Sequence, residues 1–172
     1  MKNAIIKTSV LAILVTTSIF SCKKKDDTNP TPTPQANNTN TLALNSWKVT
    51  NNGVSTTYIR LDTVKGGLSG PGNPQILYVF FNNAAADHLS FTFKGDTAPA
   101  SGIYKVVGGL VENADEVVVG ATLGAGAVYS VTTFNSTIKV TNSGREILIE
   151  ANEISMGSFS GKTCKLSANL KK

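Results

Sequence analysis

The residues able to do chemistry are few and scattered. His88 is the single histidine, which excludes a histidine dyad, a histidine triad or a two-histidine metal centre within one chain. Asp87-His88 stands where a loop enters an apolar strand and reads as a strand-end pair. Cys164 alternates with Leu166, Ala168 and Leu170, the setting of a buried thiol that acts as a small hydrophobe. A catalytic thiolate needs a base and an electropositive, partly exposed site. Lys162 and Lys165 bring charge, but no histidine stands near them in sequence. Glu112, Asp115 and Glu116 surround Asn113, without the alternate-position aspartates of a calcium loop. Glu146, Glu150 and Glu153 read as strand-face and turn carboxylates, because nothing fixes two of them at a glycosidase separation. The glycine-rich run Gly120 to Gly126 leads into a strand, whereas a phosphate cradle needs a helix N-terminus behind it. No catalytic constellation is visible, so the expectation is a noncatalytic protein with no cofactor and no metal. An enzyme stays open only through a site assembled across strands, which leaves no local signature.

The elements that position these residues are strands. Leu89, Phe91 and Phe93 alternate with Ser90, Thr92 and Lys94, and a period of two places one set on a core face and the other in water. The stretch from Ile76 to Phe81 is apolar at every position and predicts a central strand covered on both faces. Further strands are expected at Ser46–Thr50, Ser55–Asp62, Gly102–Val107, Glu116–Leu123, Val128–Phe134, Thr137–Thr141, Glu146–Ile154 and around Cys164–Leu170, about ten in all. Asn52-Gly53 and Asn142-Ser143-Gly144 supply residues that tolerate positive φ in tight turns. Gly66 to Pro74 reads as a longer loop. No sustained helical period exists. The expected fold is therefore all-β, an antiparallel β-sandwich, with a partly open, lipocalin-like β-barrel as the alternative.

The first 21 residues differ in kind. Lys2 and Lys7 precede an apolar stretch from Ser9 to Phe20, the pattern of a secretory signal peptide, and one too short to span as a mature helix. Residues 28–41 hold three prolines, five threonines and four asparagines, with Ala36 as the sole apolar side chain. Such a segment cannot bury enough surface to offset its ordering entropy and is expected as an extended tether. The organisation is thus signal peptide 1–21, charged and Pro/Thr/Asn-rich tether 22–41 and β-domain 42–172. The formal charge of +5 follows this division. From Leu42 onward there are 11 basic and 9 acidic side chains, a net of +2, so the basicity belongs mostly to targeting and no nucleic-acid partner is expected.

Ile19-Phe20-Ser21-Cys22 resembles the lipobox of bacterial lipoproteins, and Lys23-Lys24-Lys25-Asp26-Asp27 after it is similar to the start of mature Bacteroidota lipoproteins. The resemblance implies that Cys22 is acylated and becomes the N-terminus, and that the chain is held in the outer membrane, at the cell surface or on its periplasmic face. Two or three acyl chains make such an anchor stable. Trp47-Lys48-Val49, Asn52-Gly53, Tyr58 and Gly102-Ile103-Tyr104-Lys105-Val106 resemble a group of small Bacteroidota lipoproteins of unassigned function. Asp62-Thr63-Val64 and Asp96-Thr97-Ala98 look like the O-glycosylation acceptors of exported Bacteroidota proteins, with Thr63 and Thr97 as candidate sites. The functional expectation is a lipid-anchored envelope protein whose β-domain binds a glycan or an envelope protein. The alternative is a lipocalin-like carrier of a small apolar ligand. An exposed aromatic or apolar patch favours the first and a roomy apolar interior the second.

Overall fold

The computed structural model describes residues 42–70, 73–82, 87–124 and 126–172, without the side chains of residues 68–70. The apolar segment at the N-terminus, Cys22 and the tether through Thr41 lie outside the described residues. The described residues are all-β with no helix, in eleven strands. They are β1 (Ser46–Asn51), β2 (Val54–Ile59), β3 (Asp62–Gly70), β4 (Asn73–Phe81), β5 (His88–Lys94) and β6 (Gly102–Val107), followed by β7 (Glu116–Leu123), β8 (Ala127–Val131), β9 (Thr137–Asn142), β10 (Ile147–Ser158) and β11 (Thr163–Lys171).

Alternation decides which side chains enter the core. Leu89, Phe91 and Phe93 are buried on β5 while Lys94 is exposed, and Val117, Val119, Ala121 and Leu123 do the same on β7. On β11, Cys164, Leu166, Ala168 and Leu170 are buried. A single cluster draws buried side chains from nine of the eleven strands, and the two that give none, β2 and β3, are the two ends of the hydrogen-bonded path. An edge strand has one neighbour to cover it, so its side chains stay wet.

The path runs β2-β1-β11-β10-β9-β6-β7-β5-β4-β3. Off it, β8 pairs with both β7 and β10, so the ladders β7-β6-β9-β10-β8 close a circuit. The ladder is continuous, so the strands form one mixed sheet wrapped about its core. The fully antiparallel expectation fails at one place, where Lys105–Val107 of β6 run parallel to Glu116–Val118 of β7. Parallel neighbours ordinarily need a long crossover. Here the overlap is only those three residues, so the short link Gly108–Asp115 has about 10 Å to travel back.

Three further expectations are corrected. The strand expected over Ser55–Asp62 is two strands, because the chain changes partners at Arg60-Leu61: Arg60 N–H donates to Asn45 O, and Leu61 N–H to Phe81 O, both at 2.8 Å. Arg60 Nη1 also donates to Lys171 O at 2.7 Å and fixes this corner. The loop expected over Gly66–Pro74 is mostly strand, paired in unbroken register from Asp62↔Phe81 to Gly70↔Asn73. An edge ladder needs backbone groups and no core side chains, and glycine supplies those. Finally, β4 is next to an edge and not central. Ile76, Tyr78 and Phe80 enter the core, while Leu77, Val79 and Phe81 lie half-buried on the outer face.

β10 carries a bulge, with the register shifting between Ala151 and Ile154. Within it Glu153 has φ of 48°, a left-handed conformation that costs a side-chain-bearing residue about 1–2 kcal/mol. The displaced Glu153 N–H is donated to Oγ of Ser167 at 3.1 Å, and Ser167 is itself buried. Removing that acceptor leaves a partly buried donor unpaired, so Ser167→Ala is expected to lose about 1–3 kcal/mol in urea unfolding. A loss under about 0.5 kcal/mol would show that the amide has another acceptor.

Candidate functional site

Three hairpin tips meet at one place. The first is Asn52-Gly53 between β1 and β2, whose φ values of 49° and 80° are those of the tight turn that Asn-Gly favours. The second is the β7–β8 tip, tied down by Asp87, whose carboxylate accepts the Gly124 N–H at 2.6 Å. The third is the β10–β11 tip, closed by Ser158 N–H to Lys162 O at 2.8 Å. Between them lies an open cleft of about 510 Å³ whose lining includes Val49, Val54, Tyr58, Leu123 and Tyr129, with Asn51, Asn52, Thr56 and Lys162 among its polar members.

The cleft is supported from behind. Tyr58 lies parallel to Trp47, with ring centroids 5.4 Å apart and an interplanar angle of 9°. Trp47 is fully buried, so the pair fastens an edge strand to the core. Burial, and after it the charges of Asp87, Tyr129 and Cys164, raise the Tyr58 pKa. Its hydroxyl therefore stays protonated at neutral pH and serves as a donor. Val54, at the rim, is 70% exposed. The arrangement offers apolar and aromatic surface, of which Tyr58 is partly buried and Tyr129 only 7% exposed, beside two amides, one hydroxyl and one ammonium, and among the described residues no nucleophile and base are aimed at a common point.

A larger hollow of about 550 Å³ runs over Lys48, Thr50, Glu153, Lys165 and Ser167. Two of its polar groups are engaged with each other, and a third with a neighbour outside it. Lys165 Nζ lies 3.0 Å from the Glu153 carboxylate, and the Thr50 and Ser55 hydroxyls are 2.9 Å apart. The hairpin cleft, whose lining combines Tyr58 and Tyr129 with Asn51 and Asn52, is the better candidate.

Of the sequence-selected residues, Glu153, Cys164 and Lys165 line the larger hollow together, and His88 is not among its lining. His88 opens β5 and tilts against Phe81 at 5.5 Å. Cys164 is buried, and burial pushes its thiol pKa up, away from thiolate character. Among the described residues no three His, Cys, Asp or Glu side chains gather as metal ligands. Of the two threonines, Thr97 sits exposed in the β5–β6 connection, whereas Thr63 is a half-buried residue of β3 whose Oγ1 accepts from Arg60 Nη1 at 3.0 Å. Cys22 lies outside the described residues. Sequence reasoning missed the cleft itself. Only Asn51-Asn52-Gly53 announced one of its walls, as a turn.

The acidic turn has a structural role. Glu116 accepts the backbone N–H groups of Glu112 and Asn113, both at 2.9 Å, and the Asn113 amide at 2.6 Å. These hydrogen bonds, the side-chain one first, hold its carboxyl below the usual range. A carboxylate with a lowered folded pKa stabilises above its unfolded pKa, and that contribution fades as pH falls through the folded value. The amide NMR signals of Glu112 and Asn113 are expected to hold steady down to the ordinary carboxylate range and move only below it. In Glu116→Gln that step should vanish; if the step persists, another group causes it.

No protein-family model, curated protein or solved structure matches the chain, so the cleft is interpreted from its own geometry.

Proposed function

We propose that this chain is a lipid-anchored envelope protein, held to the outer membrane through acylated Cys22, whose noncatalytic β-domain binds a short, neutral glycan in the cleft between the three hairpin tips. The observation that carries the reading is the lining of that cleft, which combines Tyr58 and Tyr129 with Asn51 and Asn52 around about 510 Å³. A sugar ring has apolar C–H faces and a hydroxyl rim. Tyrosine rings offer flat apolar surface with a polar tip, and an amide both donates and accepts, so the two suit those two parts of the ring. The volume falls among those of ordinary small-ligand sites. With a domain net charge of only +2, a neutral ligand fits better than a polyanion. The interior, in contrast, is filled by one cluster of buried side chains, which supports a surface ligand over an enclosed apolar one.

The anchor and the ligand are tested together in native cells. The wild-type chain is expected to partition into the detergent phase, and Cys22→Ser into the aqueous phase. Purified wild-type chain is expected to bind oligosaccharides on a glycan array. Aqueous partitioning of the wild type would refute the anchor, and a blank array the glycan reading.

A further inference from the structure

A third concavity, of about 450 Å³, shares no lining residue with the hairpin cleft and is built from charge. It lies where the inner face of β3, the β5–β6 connection, the β9–β10 turn and the end of β11 meet, and its lining includes Lys65, Tyr78, Thr97, Arg145 and Lys172. Lys65 and Tyr78 are register partners on β3 and β4, so their side chains share one face. Arg145 is carried on the turn that Ser143 N–H closes to Glu146 O at 3.0 Å. Lys172 is fixed by paired backbone hydrogen bonds with Ile147, both at 2.8 Å.

Two features of this pocket are unmatched. The first is its charge balance. Lys105, Lys139, Lys165 and Lys171 each meet a carboxylate within ion-pair distance, whereas Lys65, Arg145 and Lys172 meet none among the described residues. The lining contains no acidic residue, and neighbouring Glu146 is held by Lys171 at 2.7 Å. The second is Tyr78. It is 1% exposed, and its hydroxyl has no hydrogen-bond partner among the described residues. Tyr104, nearby in the same aromatic cluster, donates its hydroxyl to Ala100 O at 2.8 Å. A buried hydroxyl without a partner is disfavoured in a folded protein, and the unpaired cations Lys65 and Arg145 that line the same pocket name the partner that fits.

We propose that this pocket binds the oxyanion of a small carboxylate or phosphate compound, with the Tyr78 hydroxyl as the buried donor and Lys65 and Arg145 as the counter-charges. The hydroxyl supplies a fixed, directional hydrogen bond to a charged acceptor. The cations, at the exposed mouth, draw the anion in and are weakened by salt.

The test is calorimetric titration of the full chain at low ionic strength with octanoate and, separately, inorganic phosphate. Saturable binding of at least one is expected. Octanoate alone would identify a carboxylate with an apolar tail, and phosphate alone a phosphate group. A Lys65→Ala, Arg145→Ala double variant should weaken binding by about tenfold or more, and Tyr78→Phe by about fivefold or more. Because the hydroxyl lacks an internal partner, Tyr78→Phe should leave the ligand-free Tm within about 2 °C of wild type. Absence of saturable binding by both probes, unchanged affinity in the variants, or a clear drop in ligand-free Tm for Tyr78→Phe would each overturn the proposal.

Discussion

Trp47→Ala is expected to destabilise the domain by about 3–5 kcal/mol, the range for emptying a large buried aromatic site. Trp47 is fully buried, begins the first core-facing position of β1, and is hydrogen-bonded through its strand to β11 on one side and β2 on the other. Its loss opens a void among Val49, Leu166 and Ala168 and leaves Tyr58 without the ring it stacks upon. Against a typical stability of about 5–15 kcal/mol, that is a large fraction, and partial unfolding at growth temperature follows. The Trp47 indole N–H has no partner among the described residues, so Trp47→Phe forfeits volume but no hydrogen bond and should lose only about 1–2 kcal/mol. Urea unfolding of both variants checks the pair of values. Equal losses in the two would show that a phenyl ring fills none of the site and would contradict the volume argument.

The second large effect is on binding. Tyr58→Ala is expected to weaken glycan binding by about tenfold or more, as truncation of a central interface aromatic commonly does. Tyr58→Phe keeps the ring and its stack on Trp47 and should lose less. Val54→Lys, at an exposed rim position of an edge strand, obstructs the cleft with little effect on the core and should match Tyr58→Ala in affinity while keeping wild-type stability. Lys48→Ala, in the other hollow, should bind as wild type does. Titration calorimetry against an array-selected oligosaccharide separates these outcomes, and indifference to both Tyr58→Ala and Val54→Lys would place the glycan elsewhere.

What the sequence made legible was local. The period of two in β5 and β11 named their core residues, and the bounds of β6 and β7 followed from apolar runs between turn residues. What stayed hidden depended on partners. Arg60-Leu61 contains neither glycine nor proline, so nothing marked the point where the chain leaves β1 for β4. Gly66 and Gly67 looked like loop residues because side-chain preference ignores the backbone ladder that an edge strand uses. Ile76–Phe81 looked doubly covered because its outer residues are apolar, yet its neighbour on one side is the edge strand β3. The cleft was hidden for the same reason, since Asn51, Tyr58, Tyr129 and Lys162 become neighbours only when the β8 and β11 ladders bring distant hairpins together.

The central claim is that the three hairpin tips bind glycan, and the most direct measurement is amide chemical-shift mapping of the full chain with a bound oligosaccharide. Saturable shifts are expected at Val49, Asn51, Asn52, Val54, Thr56, Tyr58, Leu123, Gly124, Ala127, Tyr129 and Lys162, the walls of the cleft. Shifts centred instead on the Lys48, Glu153 and Lys165 hollow, or no saturable shift with any array-positive glycan, would contradict it.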